Sequence, residues 1–173
     1  MKVLVSAFTC FNNASVNFSS EVIKHINNVD KVIVDVLYDK SYECLLEYGL
    51  DDYDLIVSLG EARSRDCLTL ELEAKNISSC SIPDNALVYK KDCVIIEGGD
   101  CVLKTKVNVS KLNNIVKFSN DAGKYVCNNL YYHLLYNYPR KSIFIHVPHC
   151  HDLEEEYIKY AKIIEKIIEV ILC

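Results

Sequence analysis

The chain has 173 residues, of which 50% are hydrophobic and 25% charged, so it is long and apolar enough to bury a sizeable core. Its formal net charge is −5 at pH 7. That acidic balance lacks the basic surface typical of proteins that bind nucleic acid or anionic membranes. We therefore expect a single globular domain over residues 1–173, with neither nucleic acid nor a membrane as a partner.

Two features of the sequence predict a cytoplasmic location. Polar residues such as Asn12 and Asn13 interrupt the amino-terminal apolar pattern, which argues against a signal peptide. No apolar run reaches the roughly 18 residues that a transmembrane helix needs. In a reducing compartment, the nine cysteines are expected to be mostly free thiols.

Apolar runs alternate with stretches of helical spacing in the first third of the chain. Strands are predicted at 1–7, 31–37 and 54–60, and helices at 18–27 and 41–48. Ser19 or Ser20 is a possible N-cap of the first helix. The alternation favours a three-layer α/β/α sandwich, with helices on both faces of a central mixed sheet.

The later part of the chain continues this alternation after one strong turn signal. The turn signal is Glu97-Gly98-Gly99-Asp100, and the apolar residues on its two sides predict a β-hairpin excursion from 93–96 to 101–103. Further strands are predicted at 115–118 and 141–148, and helices at 128–136 and 152–172, the last with Asp152 as N-cap.

Cys127 lies at the junction between a predicted strand and a predicted helix. The unpaired backbone N–H groups and the positive dipole end of a helix start favour an anion, such as a thiolate. A reactive cysteine is therefore one interpretation. The other is a small buried hydrophobe, the commonest fate of a free cysteine.

His146 lies near the carboxyl end of the strand predicted at 141–148. In α/β sheets catalytic groups collect at that end, where a histidine can approach a cysteine on a strand-to-helix turn. Cys127 and His146 are therefore candidates for a thiol–imidazole pair. The alternative is a core histidine whose ring nitrogens are satisfied by backbone groups.

A zinc site is the third interpretation. His146, His149, Cys150 and His151 lie close in sequence. However, the last three are consecutive, and neither paired CxxC motifs nor a helical His-x3-His pair is present. The spacing therefore disfavours a tetrahedral metal site.

Taken together, five segments resemble the pyroglutamyl peptidase I family, in the order in which that family has them. They are Phe8-Thr9-Cys10-Phe11, Leu-Gly-Glu-Ala-Arg-Ser-Arg at 59–65, Ile-Pro-Asp-Asn at 82–85, Ser-Asn-Asp-Ala-Gly-Lys-Tyr-Val-Cys-Asn at 119–128 and Phe-Ile-His-Val-Pro at 144–148. The resemblance implies a peptidase that removes an N-terminal pyroglutamyl residue from peptides by thiol acyl transfer. It implies no metal or organic cofactor, and a homo-oligomer, either a dimer or a tetramer.

The resemblance also implies roles for individual residues. Cys127 corresponds to the nucleophile and His146 to the base. The glutamate that orients the histidine lies five residues before Asn76, which selects Glu71 rather than Glu73. The implied substrate-binding residues are Phe8, Phe11, Asn17, Glu61, Ile82 and Val126, which suit a neutral lactam that needs apolar walls and a few fixed polar contacts.

Several positions depart from the family pattern. Cys10, Asn12 and Asn13 replace a proline and two glycines, and Phe18 replaces another proline. Glu61 replaces a glutamine that helps to hold the lactam, and Arg63 and Ser64 replace two glycines. Ser81 replaces an arginine that helps to stabilise the oxyanion, for which Arg63 and Arg65 are the nearest substitutes by motif. These changes leave a second possibility: a weak or inactive homologue that keeps the fold and binds peptides or a partner.

Overall fold

The computed structural model describes residues 1–149 and 153–173. Eight strands and four helices follow one another in these residues. They are β1 (Val3–Phe8), α1 (Phe18–Val22), β2 (Asp30–Val34), α2 (Lys40–Leu46), β3 (Leu55–Ala62), β4 (Thr69–Glu71), β5 (Glu73–Lys75), β6 (Val102–Lys104), β7 (Lys117–Ser119), α3 (Val126–Asn137), β8 (Ser142–Pro148) and α4 (Glu154–Leu172). The N-cap predicted at Asp152 lies outside the described residues.

Six strands form the main sheet, in the order β2-β1-β3-β8-β4-β7. The first four are parallel to one another, whereas β4 runs antiparallel to β8 and parallel to β7. The expected mixed sheet is therefore confirmed. The reversal at β4 lies next to β8, the strand that carries His146.

Successive residues of β1 point to opposite faces of this sheet. Val3 and Val5 pack with α1 and α4 in one core, while Leu4 and Phe8 pack with α2 and α3 in another. Two apolar cores on two faces give three layers, as the alternation of strands and helices predicts. Within the described residues, no helix has both the length and the apolar character needed to cross a membrane.

The predicted β-hairpin excursion is wrong. β6 pairs antiparallel with β5, and residues 93–96 contribute only an isolated bridge between Cys93 and Ser78. The Asn76 side chain explains the difference, because its oxygen accepts the N–H groups of Ile95 (3.1 Å) and Ile96 (2.9 Å). Those donors are then not available for hairpin pairing.

Two element boundaries also differ from the prediction. The helix expected at 18–27 is the short α1 followed by a 3-10 turn at Ile23–His25, and its N-cap is Asn17, whose side chain accepts the N–H of Ser19. Neither Ser19 nor Ser20 is the cap. The strand expected at 115–118 begins at Lys117, and it is the edge strand β7 rather than a buried one.

Candidate active site

Cys127 is the second residue of α3 and lies against the end of β3. A Cβ atom added to Gly60 would come within 2.8 Å of Cys127 Sγ and 2.9 Å of Phe144 Cζ. Such distances are shorter than normal van der Waals contact, so glycine is required here. The sulfur therefore occupies a space that the missing side chain of Gly60 leaves open near the carboxyl end of β3.

His146 is held by Glu71 across the antiparallel β4–β8 pair. The Nδ1–H group of His146 donates to Glu71 Oε1 at 2.8 Å. Both residues are buried, and Glu71 is 0% exposed. Glu73 belongs to the separate strand β5 and faces Lys104 instead, at 3.5 Å. The imidazole thus has a carboxylate partner rather than the backbone partners of an ordinary core histidine.

Strand register places the sulfur close to the histidine. His146 is the Cα partner of Gly60 in the β3–β8 ladder, and the sulfur of Cys127 lies over Gly60. Among the described residues, no hydrogen bond joins Sγ to the imidazole, and His146 Nε2 has no hydrogen-bond partner. Since Nδ1 is bonded to Glu71, Nε2 is the nitrogen that is available to take the thiol proton.

The surroundings of Cys127 favour its thiol form, contrary to what the helix start alone favours. Burial raises the pKa of Cys127 to about 12, and the negative charge of Glu71 acts in the same direction. The backbone N–H of Cys127 lowers this pKa, but by less. A thiol in these surroundings needs a base to take its proton before it can act as a nucleophile, and His146 is the candidate.

A small cavity opens beside the sulfur. It is lined by Phe8, Phe11, Asn17, Val36, Glu61, Tyr125, Val126 and Cys127. Five of the six substrate-binding residues implied by the resemblance are in this set. Ile82 is not in the set. The segment that contains Ile82 contacts the cavity wall only indirectly, because the hydroxyl of the lining residue Tyr125 donates to the Pro83 carbonyl at 2.7 Å.

Sequence reasoning missed two lining residues, Val36 and Tyr125. Tyr125 immediately precedes α3, and its ring lies 5.9 Å from that of Phe11. An aromatic residue directly before a helix-start cysteine is a local signal that could have identified it. Val36 follows the end of β2, and no local pattern distinguishes it from a core valine.

Asn17 has one polar group left for a ligand. Its side-chain oxygen accepts the N–H of Ser19 at 3.0 Å, and its amide nitrogen donates to the Thr9 carbonyl at 2.9 Å. An amide NH2 group has two donors, and among residues 1–149 and 153–173 the second N–H has no acceptor. The first two bonds fix the direction in which that donor points.

The Glu61 side chain is committed to the protein itself. Its Oε2 atom accepts the backbone N–H of Phe18 at 2.6 Å, and its Oε1 atom accepts from Arg63 Nε at 3.0 Å and from His149 Nδ1 at 3.2 Å. The side chain is 1% exposed. What Glu61 offers to a ligand is therefore mainly its backbone.

Both arginines of the 59–65 segment are bonded to glutamate side chains. Arg63 pairs with Glu61, and Arg65 Nη2 lies 3.0 Å from Glu71 Oε1. Ser81, at the position where the resemblance expects an arginine, is exposed. Both guanidinium groups are thus bonded to buried carboxylates, and the interpretation of Arg63 or Arg65 as a substitute for the arginine stays a prediction.

The part of the chain that the structure describes contains no group of three or more His, Cys, Asp or Glu residues that could hold a metal ion. His149 is bonded to Glu61. The two other members of the sequence cluster, Cys150 and His151, lie outside the described residues.

Comparisons with known proteins agree with the motif resemblance. Residues 1–167 match the family model described as Pyroglutamyl peptidase. The pyrrolidone-carboxylate peptidase of Thermosipho africanus is 31% identical over 100% of this chain and 94% of its own length, and that of Thermosipho melanesiensis is 33% identical over 88% and 85%. The crystal structure of pyroglutamyl peptidase I from Bacillus amyloliquefaciens aligns with a TM-score of 0.84 at 25% identity, covering 96% of this chain and 95% of that one.

Proposed function

This chain belongs to the pyroglutamyl peptidase family of cysteine peptidases, and we propose that it removes an N-terminal pyroglutamyl residue from peptides with Cys127, His146 and Glu71. The observation that carries the proposal is the buried 2.8 Å bond between His146 and Glu71, formed on the strand beside Cys127. Nucleophile, base and orienting group are the three parts that thiol acyl transfer requires.

In the acylation step, His146 Nε2 takes the proton of Cys127 while Sγ attacks the carbonyl carbon of the pyroglutamyl residue. Glu71 accepts Nδ1–H throughout and stabilises the imidazolium that forms. When the tetrahedral intermediate collapses, the C–N bond breaks and Nε2–H protonates the leaving amine. The shortened peptide leaves, and a thioester to Cys127 remains.

In the deacylation step, His146 takes a proton from water, and the resulting hydroxide attacks the thioester. The C–S bond breaks, pyroglutamic acid leaves, and the proton returns to the sulfur. In both steps the backbone N–H of Cys127 is the oxyanion donor that we propose, because N–H groups in the first turn of α3 have no partner within the helix.

The cavity suits a neutral five-membered lactam. Phe8 and Phe11 supply apolar walls, and the spare N–H of Asn17 is placed to donate to the lactam carbonyl. The lactam N–H needs an acceptor, and the backbone carbonyl of Glu61 is the group that we assign to it, because the Glu61 carboxylate is used elsewhere.

The alternative of an inactive homologue that only binds peptides is not favoured. Its support is the missing arginine at Ser81, and losing one oxyanion donor lowers turnover by about a hundredfold or more without abolishing it. The buried Glu71–His146 pair supports turnover, because a protein that only binds has no need of a general base.

We also propose that the protein acts in the cytoplasm as a homo-oligomer. The abundance of free cysteines supports a reducing compartment, since all eight cysteines in the described residues are unpaired. The family resemblance supports the oligomer.

Hydrolysis of a pyroglutamyl chromogenic amide tests the activity. We expect turnover by the wild type, and loss of nearly all turnover in Cys127→Ser, because a serine hydroxyl is far harder to deprotonate than a thiol. Cys101→Ser is the matched control, since Cys101 is exposed and outside the cavity. The corresponding prolyl amide lacks the lactam carbonyl and should be a poor substrate. Equal activity in Cys127→Ser and Cys101→Ser would remove Cys127 from the mechanism.

A further inference from the structure

Arg65 does not line the cavity, yet it contacts the orienting carboxylate. Its Nη2 atom lies 3.0 Å from Glu71 Oε1, the same oxygen that accepts from His146. The other oxygen, Oε2, is buried and has no hydrogen-bond partner among the described residues. A fully buried carboxylate with one oxygen unpaired is unfavourable unless a cation lies beside it. Arg65 supplies that cation.

The guanidinium is fixed in place by two further acceptors. Arg65 Nη2 donates to Ser119 Oγ at 2.9 Å and to the Asp121 carbonyl at 2.9 Å. Ser119 ends β7, and Asp121 lies in the segment between β7 and α3 that leads to Cys127. Arg65 therefore connects the orienting carboxylate to the segment that precedes the nucleophile.

We propose that Arg65 is a positioning residue of the acyl-transfer reaction, which holds the Glu71 carboxylate aligned on His146. The proposal rests on the function proposed above and adds a fourth member to Cys127, His146 and Glu71. Arg65 acts through Glu71 and touches no reacting atom. With Glu71 held in this way, the imidazole keeps its proton on Nδ1 and leaves Nε2 available to the thiol.

Removing the charge of Arg65 has a defined direction of effect. The charged or titratable groups around the Glu71–His146 pair come from β3, β5, α3 and the segment between β7 and α3, and they are Glu61, Lys75, Cys127, Tyr131 and Asp121. Lys75 is already paired with Asp121 at 2.8 Å, so it does not replace Arg65. Without Arg65 the site is more negative, and every proton in it is bound more tightly.

The test is the pH profile of kcat/KM for Arg65→Met on a pyroglutamyl amide. We expect kcat to fall roughly 10- to 100-fold, with KM within about threefold of the wild-type value. Losses of this size are typical for residues that orient a functional group without contacting the substrate. The acidic limb of the profile should move to higher pH. Arg65→Lys keeps the charge, so it should restore the wild-type limb and most of kcat. Arg140→Met is the control, because Arg140 is exposed and has no ion pair in the described residues.

A second measurement keeps this proposal separate from the proposed function. The rate at which iodoacetamide alkylates Cys127 is followed against pH by mass spectrometry, which needs no substrate. Arg65→Met should shift that profile to higher pH, and Arg140→Met should not. If the wild type fails to hydrolyse the amide but the alkylation profile of Arg65→Met shifts, the proposed peptidase function is contradicted, whereas the proposed role of Arg65 is supported. Arg65→Gln serves if Arg65→Met does not fold. An unshifted alkylation profile in a folded neutral variant would overturn the proposal.

Discussion

Two arginine–glutamate pairs lie at the end of β3, and they have similar geometry but different surroundings. Arg65–Glu71 and Arg63–Glu61 both have N–O distances of 3.0 Å, and their carboxylates are 0% and 1% exposed. Each carboxylate also bonds a histidine, Glu71 the buried His146 and Glu61 the more exposed His149, but only Glu61 accepts in addition from a backbone N–H of α1. The same pair of residue types therefore holds the proposed base on one side of the cysteine and the wall of the cavity on the other.

The two pairs differ in what each carboxylate contacts besides its arginine. Arg63 is 60% exposed, so its ion pair with Glu61 adds little stability, on the order of 0–1 kcal/mol. The bond from Glu61 to the buried N–H of Phe18 matters more, because an unpaired buried donor costs about 1–3 kcal/mol. Arg65 is only 27% exposed and lies against a fully buried anion.

Among substitutions in these two pairs, Glu71→Gln should have the largest effect. An amide cannot stabilise the imidazolium as a carboxylate does, so kcat should fall by roughly 10²- to 10⁴-fold with little change in KM. Glu73→Gln is the matched control, since Glu73 is two residues away and faces Lys104. Steady-state kinetics on a pyroglutamyl amide measures both. A greater loss in Glu73→Gln would show that the family register was assigned to the wrong glutamate.

Glu71→Gln should also shift the pH profile of Cys127 alkylation, in the direction opposite to the shift expected for Arg65→Met. The negative charge of Glu71 is one cause of the raised pKa of Cys127, so its removal should lower that pKa from about 12. Alkylation of Cys127 should then shift to lower pH in Glu71→Gln. If both variants shift the profile in the same direction, charge is not what the two residues contribute to the cysteine.

A smaller effect is expected at Glu61, and it should concern stability. Glu61→Ala leaves the Phe18 N–H without an acceptor and should destabilise the fold by about 1–3 kcal/mol, or roughly 2–12 °C in Tm. Glu61→Gln keeps an acceptor and should recover most of that loss. The KM of Glu61→Gln for a pyroglutamyl amide should stay within about threefold of wild type, because the side chain at this position is bonded to Phe18, Arg63 and His149. A large improvement in KM would instead show that the lactam is bound by an amide side chain.

The sequence predicted the layers of the fold because they depend on long apolar runs. β1, β3 and β8 are continuous and buried, and such runs indicate central parallel strands without ambiguity. β4 has only three residues, too few for any periodicity to show, yet its antiparallel register places Glu71 beside His146. The contact between Glu71 and His146 was therefore predictable from the family register alone.

The remaining differences came from interactions between residues far apart in the sequence. Asn76 binds the backbone of Ile95 and Ile96 and prevents the hairpin that the turn signal predicts. Glu61 caps a donor 43 positions away. The state of Cys127 depends on burial, which outweighs the helix start, and burial cannot be measured before the fold is known.

The smallest effect concerns the loop that carries Phe11. The loop turns at Phe11–Ala14, where the Ala14 N–H donates to the Phe11 carbonyl at 3.0 Å. Its two central residues, Asn12 and Asn13, have φ of 52° and 59°, as in a type I′ turn. The glycines of the family pattern are thus replaced by asparagine, the residue that best tolerates this conformation after glycine.

Asn13→Ala should therefore destabilise the protein, and Asn13→Gly should not. An alanine at positive φ costs about 1 kcal/mol, or roughly 2–4 °C in Tm, while glycine adopts the same angles without strain. The Asn13 side chain is exposed, so no packing is lost in either variant. Because the turn sets the position of Phe11, Asn13→Ala should also raise KM for a pyroglutamyl amide while leaving kcat near wild type. Equal melting temperatures for the alanine and glycine variants would mean that the loop relaxes to negative φ, and that the backbone of this turn does not fix the wall of the cavity.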